Sequence, residues 1–222
     1  MIFSGMKKKH LMVIDPAVEK PAIESFNRIS IRAPYPASYH LPALHGMNSI
    51  YQLNKKIRGI IILGSAASVH DDNKWQKALT TFLFEIIDKD LPIMGLCYGH
   101  QLIAHIFGGK VGPLWNGEKK QGVRDVTLTD NELWGERKKG PMIFSHQDGV
   151  TECPNNFEII AHSNMVSVDG FRIKKKPIWG FQTHIEATKA FINDHDIPIS
   201  ENSGAIFRFG HKILDRFILS LV

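Results

Sequence analysis

"PIMGLCYGHQLIAHIFGGKVG" (92–112) holds one of only two cysteines in a chain of 222 residues, set between two glycines. Ahead of it, "PIMGL" is a short apolar run with the look of a buried strand. Behind it, Leu102, Ile103, Ile106 and Phe107 recur at helical spacing until Gly108 and Gly109 supply a stop signal. Cys97 therefore falls at a strand-to-helix turn. In turns of the form G-x-nucleophile-x-G the central residue adopts a strained backbone conformation at the end of a strand. Gly95 and Gly99 suit such a turn, because side chains at those positions would collide where strand and helix pack. The expectation is a cysteine presented clear of the sheet, not buried. The helix beginning at Tyr98 aims unpaired N–H groups at the sulfur, which favours a thiolate and offers a donor to an oxyanion. Standing alone, the motif fits equally well a small core residue closing a strand.

The flanking segments set Cys97 in an α/β frame. "HLMVID" (10–15) and "RGIIILG" (58–64) read as buried strands of a parallel sheet. Between 74 and 88, Trp75, Ala78, Leu79, Phe82, Leu83, Ile86 and Ile87 form a one-faced helix, with Asp71, Asp72 and Asn73 as N-cap candidates. Strand, helix, strand, helix implies right-handed crossovers and a doubly wound, mainly parallel sheet, whose ligands bind at the carboxyl ends of strands. "RAPYPASYHLPALHG" (32–46) carries no clear pattern. After residue 110, "RDVTLT", "PMIFS", "FEIIAHS", "VSVDGFRI" and "PIWGFQTHIE" read as successive strands, a β-rich second half on the same sheet. Phe207, Ile213, Leu214, Phe217, Ile218 and Leu221 mark a final helix. One domain over 1–222 is expected, without linker or repeat.

Composition narrows the class. With 43% hydrophobic and 22% charged residues the chain is an ordinary globular protein. Two cysteines build no disulfide framework, the start has no signal-peptide core, and no apolar run spans a bilayer, so a cytoplasmic location without membrane contact is expected. The formal charge of +5 is spread over short runs at 7–9, 137–139 and 174–176, each beside a turn and without interleaved aromatics. These read as solvated turns, and no nucleic-acid partner is expected.

A sulfur nucleophile needs a base and the base needs an orienting group. Among eleven histidines, His184 stands at the end of a predicted strand, two residues before Glu186. In an extended segment both side chains share a face, which yields a Cys97–His184–Glu186 triad. His100, one turn from Cys97, lacks a local carboxylate; His105 reads as packing; His146 could line a pocket. "HIE" lacks the P-C-x-x-C of a zinc deaminase, "GPLWNGEK" has Glu118 where a phosphate loop needs lysine, and no other ligand cluster appears. Neither metal nor cofactor is expected. Cys153, in "TECPNN", has no neighbouring base and reads as structural, and Trp115 and Trp179 read as core or pocket-wall aromatics.

"GLCYGHQLIAHIFGGKV" together with "GFQTHIE" resembles the class I glutamine amidotransferases, most closely the stand-alone group similar to the amidotransferase part of GMP synthase, over roughly residues 58 to 190. The resemblance implies a flavodoxin-like fold and attack by Cys97 on the γ-carboxamide of glutamine, giving a glutamyl thioester and ammonia. His184 would shuttle the proton and Glu186 orient it. Backbone N–H groups at Tyr98 and in "GSAAS" (64–68) would form the oxyanion hole, while Gln101 and Ser145, His146 and Gln147 match positions that hold the glutamine's α-amino and α-carboxylate groups. One departure stands out: where the family has two glycines and a proline, this chain has Gly64, Ser65 and Ala66, and Ser65 would be strained if the donor position needs a positive φ.

The stretch after Glu186 is too short for an ATP-dependent synthase domain. Three functions therefore compete: a glutaminase subunit feeding a separate synthase, a free-standing hydrolase of γ-glutamyl amides or peptides, and a non-catalytic binding or regulatory module.

Overall fold

Alternating buried strands and one-faced helices build the first half of the chain. The computed structural model describes residues 9–199 and 204–222; Lys7 and Lys8 of the first basic run, and the start of the chain, lie outside them. β1 (His10–Ile14) is buried at every position, and leads to α1 (Ile23–Arg32) and β2 (Ala37–His40). Two short helices, α2 (Pro42–His45) and α3 (Asn48–Leu53), precede β3 (Ile57–Ile62). α4 (Lys74–Ile87) starts at a capping box in which Asn73 and Gln76 satisfy each other's backbone N–H groups. β4 (Ile93–Leu96) then feeds α5 (Tyr98–Ile106) through Cys97.

The second half is strand-rich, as its sequence suggests, with different bounds. Its strands are β5 (Lys110–Pro113), β6 (Lys120–Leu128), β7 (Lys138–His146), β8 (Asp148–Glu152), β9 (Phe157–His162), β10 (Gly170–Ile173) and β11 (Ile178–Phe181). β5 and β8 form a separate antiparallel ribbon. α6 (Lys189–Asp194) and α7 (Gly204–Ser220) close the described chain. The basic runs at 137–139 and 174–176 are largely exposed and lie at a strand entry and a turn.

The main sheet has nine strands in the order β2-β1-β3-β4-β11-β10-β9-β6-β7. The first five are mutually parallel, in the 2-1-3-4-5 order of flavodoxin-like folds with β11 in fifth place. The remaining pairings are antiparallel. Side-chain alternation sorts each buried strand between two cores: Met12, Ile14, Ile60 and Ile62 pack with α4 and α5, whereas Leu11, Val13 and Ile61 pack with Ile29 of α1 and Ile213, Leu214 and Phe217 of α7. Continuous apolar runs such as "GIIIL" follow from this two-sided burial.

Strand order explains how distant residues meet. β4 and β11 are hydrogen-bonded parallel neighbours, Leu96 opposite Phe181. The residues just beyond their carboxyl ends therefore emerge side by side.

Candidate active site

Four strand ends converge on one cleft of about 520 Å³: Asp15 follows β1, Gly64 follows β3, Cys97 follows β4 and His184 follows β11, and all four line it. Cys97 has φ 50° and ψ −100°, a left-handed backbone that a non-glycine residue adopts only under tertiary constraint. Its N–H donates to the Phe181 carbonyl at 2.8 Å, which ties the turn to β11. A Cβ at Gly95 would lie 2.4 Å from the Gly99 carbonyl oxygen, and one at Gly99 would lie 2.4 Å from that of Ile62, so both glycines are sterically required. The expectation of a freely presented side chain needs correction: Cys97 is only 5% exposed. The strained turn does lift it off the strand, and β7 and the loop after β11 then wall it into the floor of the cleft, with the Ser145 carbonyl 4.0 Å from Sγ.

His184 Nδ1 lies 2.9 Å from Glu186 Oε1, leaving the other ring nitrogen free for the Cys97 sulfur that lines the same cleft. The pair does not lie in an extended segment, as the sequence suggested. β11 stops at Phe181, and residues 183–187 form a tight turn with Ala187 N–H on the His184 carbonyl. The turn is fastened to β7, since His184 N–H donates to the Ile143 carbonyl at 2.8 Å. Phe191 of α6 covers the imidazole, ring centroids 4.4 Å apart. Burial pulls the His184 pKa down, but the negative Glu186 and Cys97 outweigh it and push the net value up to about 10. The ring therefore carries a proton at neutral pH.

Gly64 belongs to the same geometry. A Cβ there would stand 2.8 Å from His184 Cε1 and 3.5 Å from Cys97 Cβ. Beyond Leu63, whose N–H closes the sheet on Ile14, the Gly64 and Ser65 N–H groups have no acceptor among the described residues. Tyr98 opens α5, so its N–H also has no helical partner. Ser65 is not among the residues with positive φ, and its hydroxyl donates to the Pro16 carbonyl at 2.7 Å. Serine is thus accommodated here without strain.

The opposite wall is Ser145, His146 and Gln147 at the end of β7, with Gln101 of α5 below them. Gln101 Nε2 donates to the Asp148 carbonyl at 2.8 Å. His146 is nearly buried, and burial together with the nearby Arg124 cation lowers its pKa to about 3. His100 is also driven to about 3, chiefly by burial, and stacks on Phe171. Neither competes with His184 as the base. His105 lies outside the cleft, edge-on to His70. Trp115 packs on His146 without itself lining the cleft, and Trp179 is buried against Phe217. Cys153 has its thiol raised to about 11 by burial, an inert environment.

Sequence reasoning passed over several cleft groups. Gln182, fully buried, donates from Nε2 to Cys97 Sγ at 3.6 Å. Asp15 accepts from Ala17 N–H at 3.1 Å, from Ala22 N–H at 2.7 Å and from Tyr39 Oη, which shapes residues 15–22 into a wall. Burial, with a smaller contribution from Glu186, raises the Asp15 pKa. Lys20 crosses the cleft mouth to Asp194, 2.5 Å away. Only the "GFQTH" spacing hinted at Gln182; nothing local marked the others. Among the described residues, no group of three or more His, Cys, Asp or Glu side chains converges as a metal site would, and no helix is long and apolar enough to cross a membrane.

Comparison with known proteins identifies the family and the fold. The chain matches one subunit of the glutamine-hydrolysing GMP synthase of Methanococcus aeolicus, 37% identical over 61% of this chain and 68% of that protein. It matches the GMP synthase of Cytophaga hutchinsonii, 32% identical over 65% of this chain but only 28% of that longer protein. The fold overlays on a glutamine amidotransferase from Thermotoga maritima with a TM-score of 0.76 at 18% identity, over 97% of this chain and 99% of the other. The family model for class-I glutamine amidotransferases matches residues 35–195, most of the chain and all of the candidate site except the wall of residues 15–22, and this chain belongs to that family.

Proposed function

We propose that the chain hydrolyses the γ-carboxamide of glutamine and releases ammonia for a separate synthase. The observation that carries this reading is a cysteine in a strained strand-to-helix turn sharing a cleft with a histidine whose Nδ1 is held by a buried carboxylate. The Cys97 sulfur attacks the amide carbon, a C–S bond forms, and the carbonyl electrons move to oxygen. The N–H groups of Tyr98 and of the Gly64–Ser65 turn receive that oxyanion, each donor being worth about 3–4 kcal/mol. Collapse breaks the C–N bond as His184 passes its proton to the departing nitrogen. Water then attacks the thioester, His184 takes up its proton, the C–S bond breaks, and glutamate leaves. Glu186 keeps the imidazole oriented through both halves of the cycle. Gln101, Ser145, His146 and Gln147 hold the α-amino and α-carboxylate groups.

A second reading, hydrolysis of γ-glutamyl amides or peptides, is favoured by the size of the cleft, about 520 Å³ with Lys20, Asp194 and His195 also in its lining, which can take a substrate larger than glutamine. A steady-state assay of the isolated chain on glutamine, γ-glutamyl dipeptides and glutathione separates the two. Efficient peptide cleavage without a partner removes the subunit reading, whereas weak glutaminase activity that rises with a synthase supports it. Full turnover by Cys97→Ala removes the thiol mechanism, and no turnover of any of these by the native chain leaves a binding module.

A further inference from the structure

Arg124 of β6 has a side chain only 4% exposed, paired with the fully buried Asp169 just ahead of β10. Its plane lies over Phe144, 4.4 Å from the ring centroid. A second guanidinium nitrogen, Nη1, lies 2.9 Å from His146 Nε2. A guanidinium only donates. His146 Nε2 must therefore accept, and the ring's proton must sit on Nδ1. Nδ1 is indeed 2.9 Å from the Asp148 carbonyl oxygen, the acceptor that this tautomer requires.

The same carbonyl receives Gln101 Nε2, which also lies 3.2 Å from Gln182 Oε1. Gln182 in turn donates to the Cys97 sulfur. The circuit closes through the backbone, because Gln182 N–H donates to the Asp169 carbonyl at 2.8 Å. An ion pair on the antiparallel side of the sheet is thus joined to the sulfur through a continuous chain of buried and half-buried polar groups, in which each hydrogen bond polarises the next.

We infer that Arg124, clamped by Asp169, is a positioning residue: its donor-only fork imposes the Nδ1–H tautomer on His146 and so fixes the Asp148 carbonyl, Gln101 and Gln182 around the cleft. The kinetic consequence rests on the glutaminase reading proposed above; the tautomer does not. Lysine cannot replace the fork. A single ammonium can keep the pair with Asp169, but it does not present separate nitrogens to Asp169 and His146 at fixed geometry.

Two variants test this: Arg124→Lys, and Arg124→Met combined with Asp169→Asn, which removes both charges and strands neither. Each is examined by thermal unfolding, by ¹⁵N NMR of the histidine ring nitrogens at neutral pH, and by steady-state glutamine hydrolysis. In the native chain His146 is expected as a single Nδ1–H imidazole. In both folded variants it becomes a tautomer mixture, and KM for glutamine rises about tenfold while kcat falls less than threefold. An ion pair that merely joins β6 to β10 predicts instead that Arg124→Lys behaves as wild type in KM and in the NMR spectrum. That result, or a native His146 protonated on Nε2, overturns the inference. A native chain with no glutaminase activity refutes the proposed function and leaves the NMR arm to decide the tautomer.

Discussion

The two halves of the sheet do different work around the same cleft. The parallel half delivers Gly64, Cys97 and His184 from the carboxyl ends of β3, β4 and β11, adjacent strands whose register is locked by backbone ladders. The antiparallel half delivers Ser145, His146 and Gln147 from the end of β7, and braces them with Arg124 and Asp169. In the proposed mechanism the first group makes and breaks bonds and the second holds the substrate still. Damage to the parallel half should therefore appear in kcat, and damage to the antiparallel half in KM.

Glu186→Gln gives the largest effect expected here. It removes the charge that keeps His184 protonated and oriented, and kcat on glutamine should fall on the order of 10³–10⁴-fold with little change in KM. Stopped assays at saturating glutamine read this directly, and a loss confined to KM would erase the division of labour. Next comes Gly64→Ala. Its methyl would meet the His184 ring at 2.8 Å, and pushing the ring aside by about 1 Å costs about 10²-fold in kcat. A crystal structure of the variant should show the imidazole moved and Cys97 in place.

Ser145→Ala probes the other half and should be milder. Loss of one hydroxyl contact raises KM by about fivefold and leaves kcat within a factor of two; an equal fall in both would assign β7 to the chemistry. The smallest effect is on stability. Folding raises the His184 pKa from about 6.5 to about 10, so its stabilisation is complete below the unfolded value and fades as pH climbs through the folded one. The excess Tm of the native chain over Glu186→Gln should therefore shrink by a few degrees between those limits. Scanning calorimetry across that range checks the sign, and a gap that widens with pH would contradict it.

Local patterning was enough for some elements and not for others. α4 and α5 were legible because their apolar stripes face a single core, and Asn73 or Gly108 punctuates them. α1 was missed between two prolines, where Ile23 and Ile31 point outward and blur the stripe. β2 and β5 are four residues each, too short for a periodicity to emerge. β8 follows β7 after a single residue, Gln147, so its start carries no separate turn signal. His184 and Glu186 were paired correctly for the wrong reason: both alternation and a tight turn bring i and i+2 together, and only coordinates tell them apart. Ser65 was expected to carry strain, yet the loop places it outside the left-handed region.

By itself, the amino-acid order marked the turn around Cys97, since Gly95 is demanded by the Gly99 carbonyl within the turn itself, and it flagged His184 and Glu186 as a pair; the demand for Gly99 comes from Ile62 of the neighbouring β3. Only the tertiary structure decided that β11 lies beside β4, that the sulfur sits on the floor of a walled cleft, and that Arg124 reaches His146. The physical reason is range. A residue's periodicity reports which way it faces, but strand order and buried polar circuits are set by which distant segments pack together, and no local pattern records that choice.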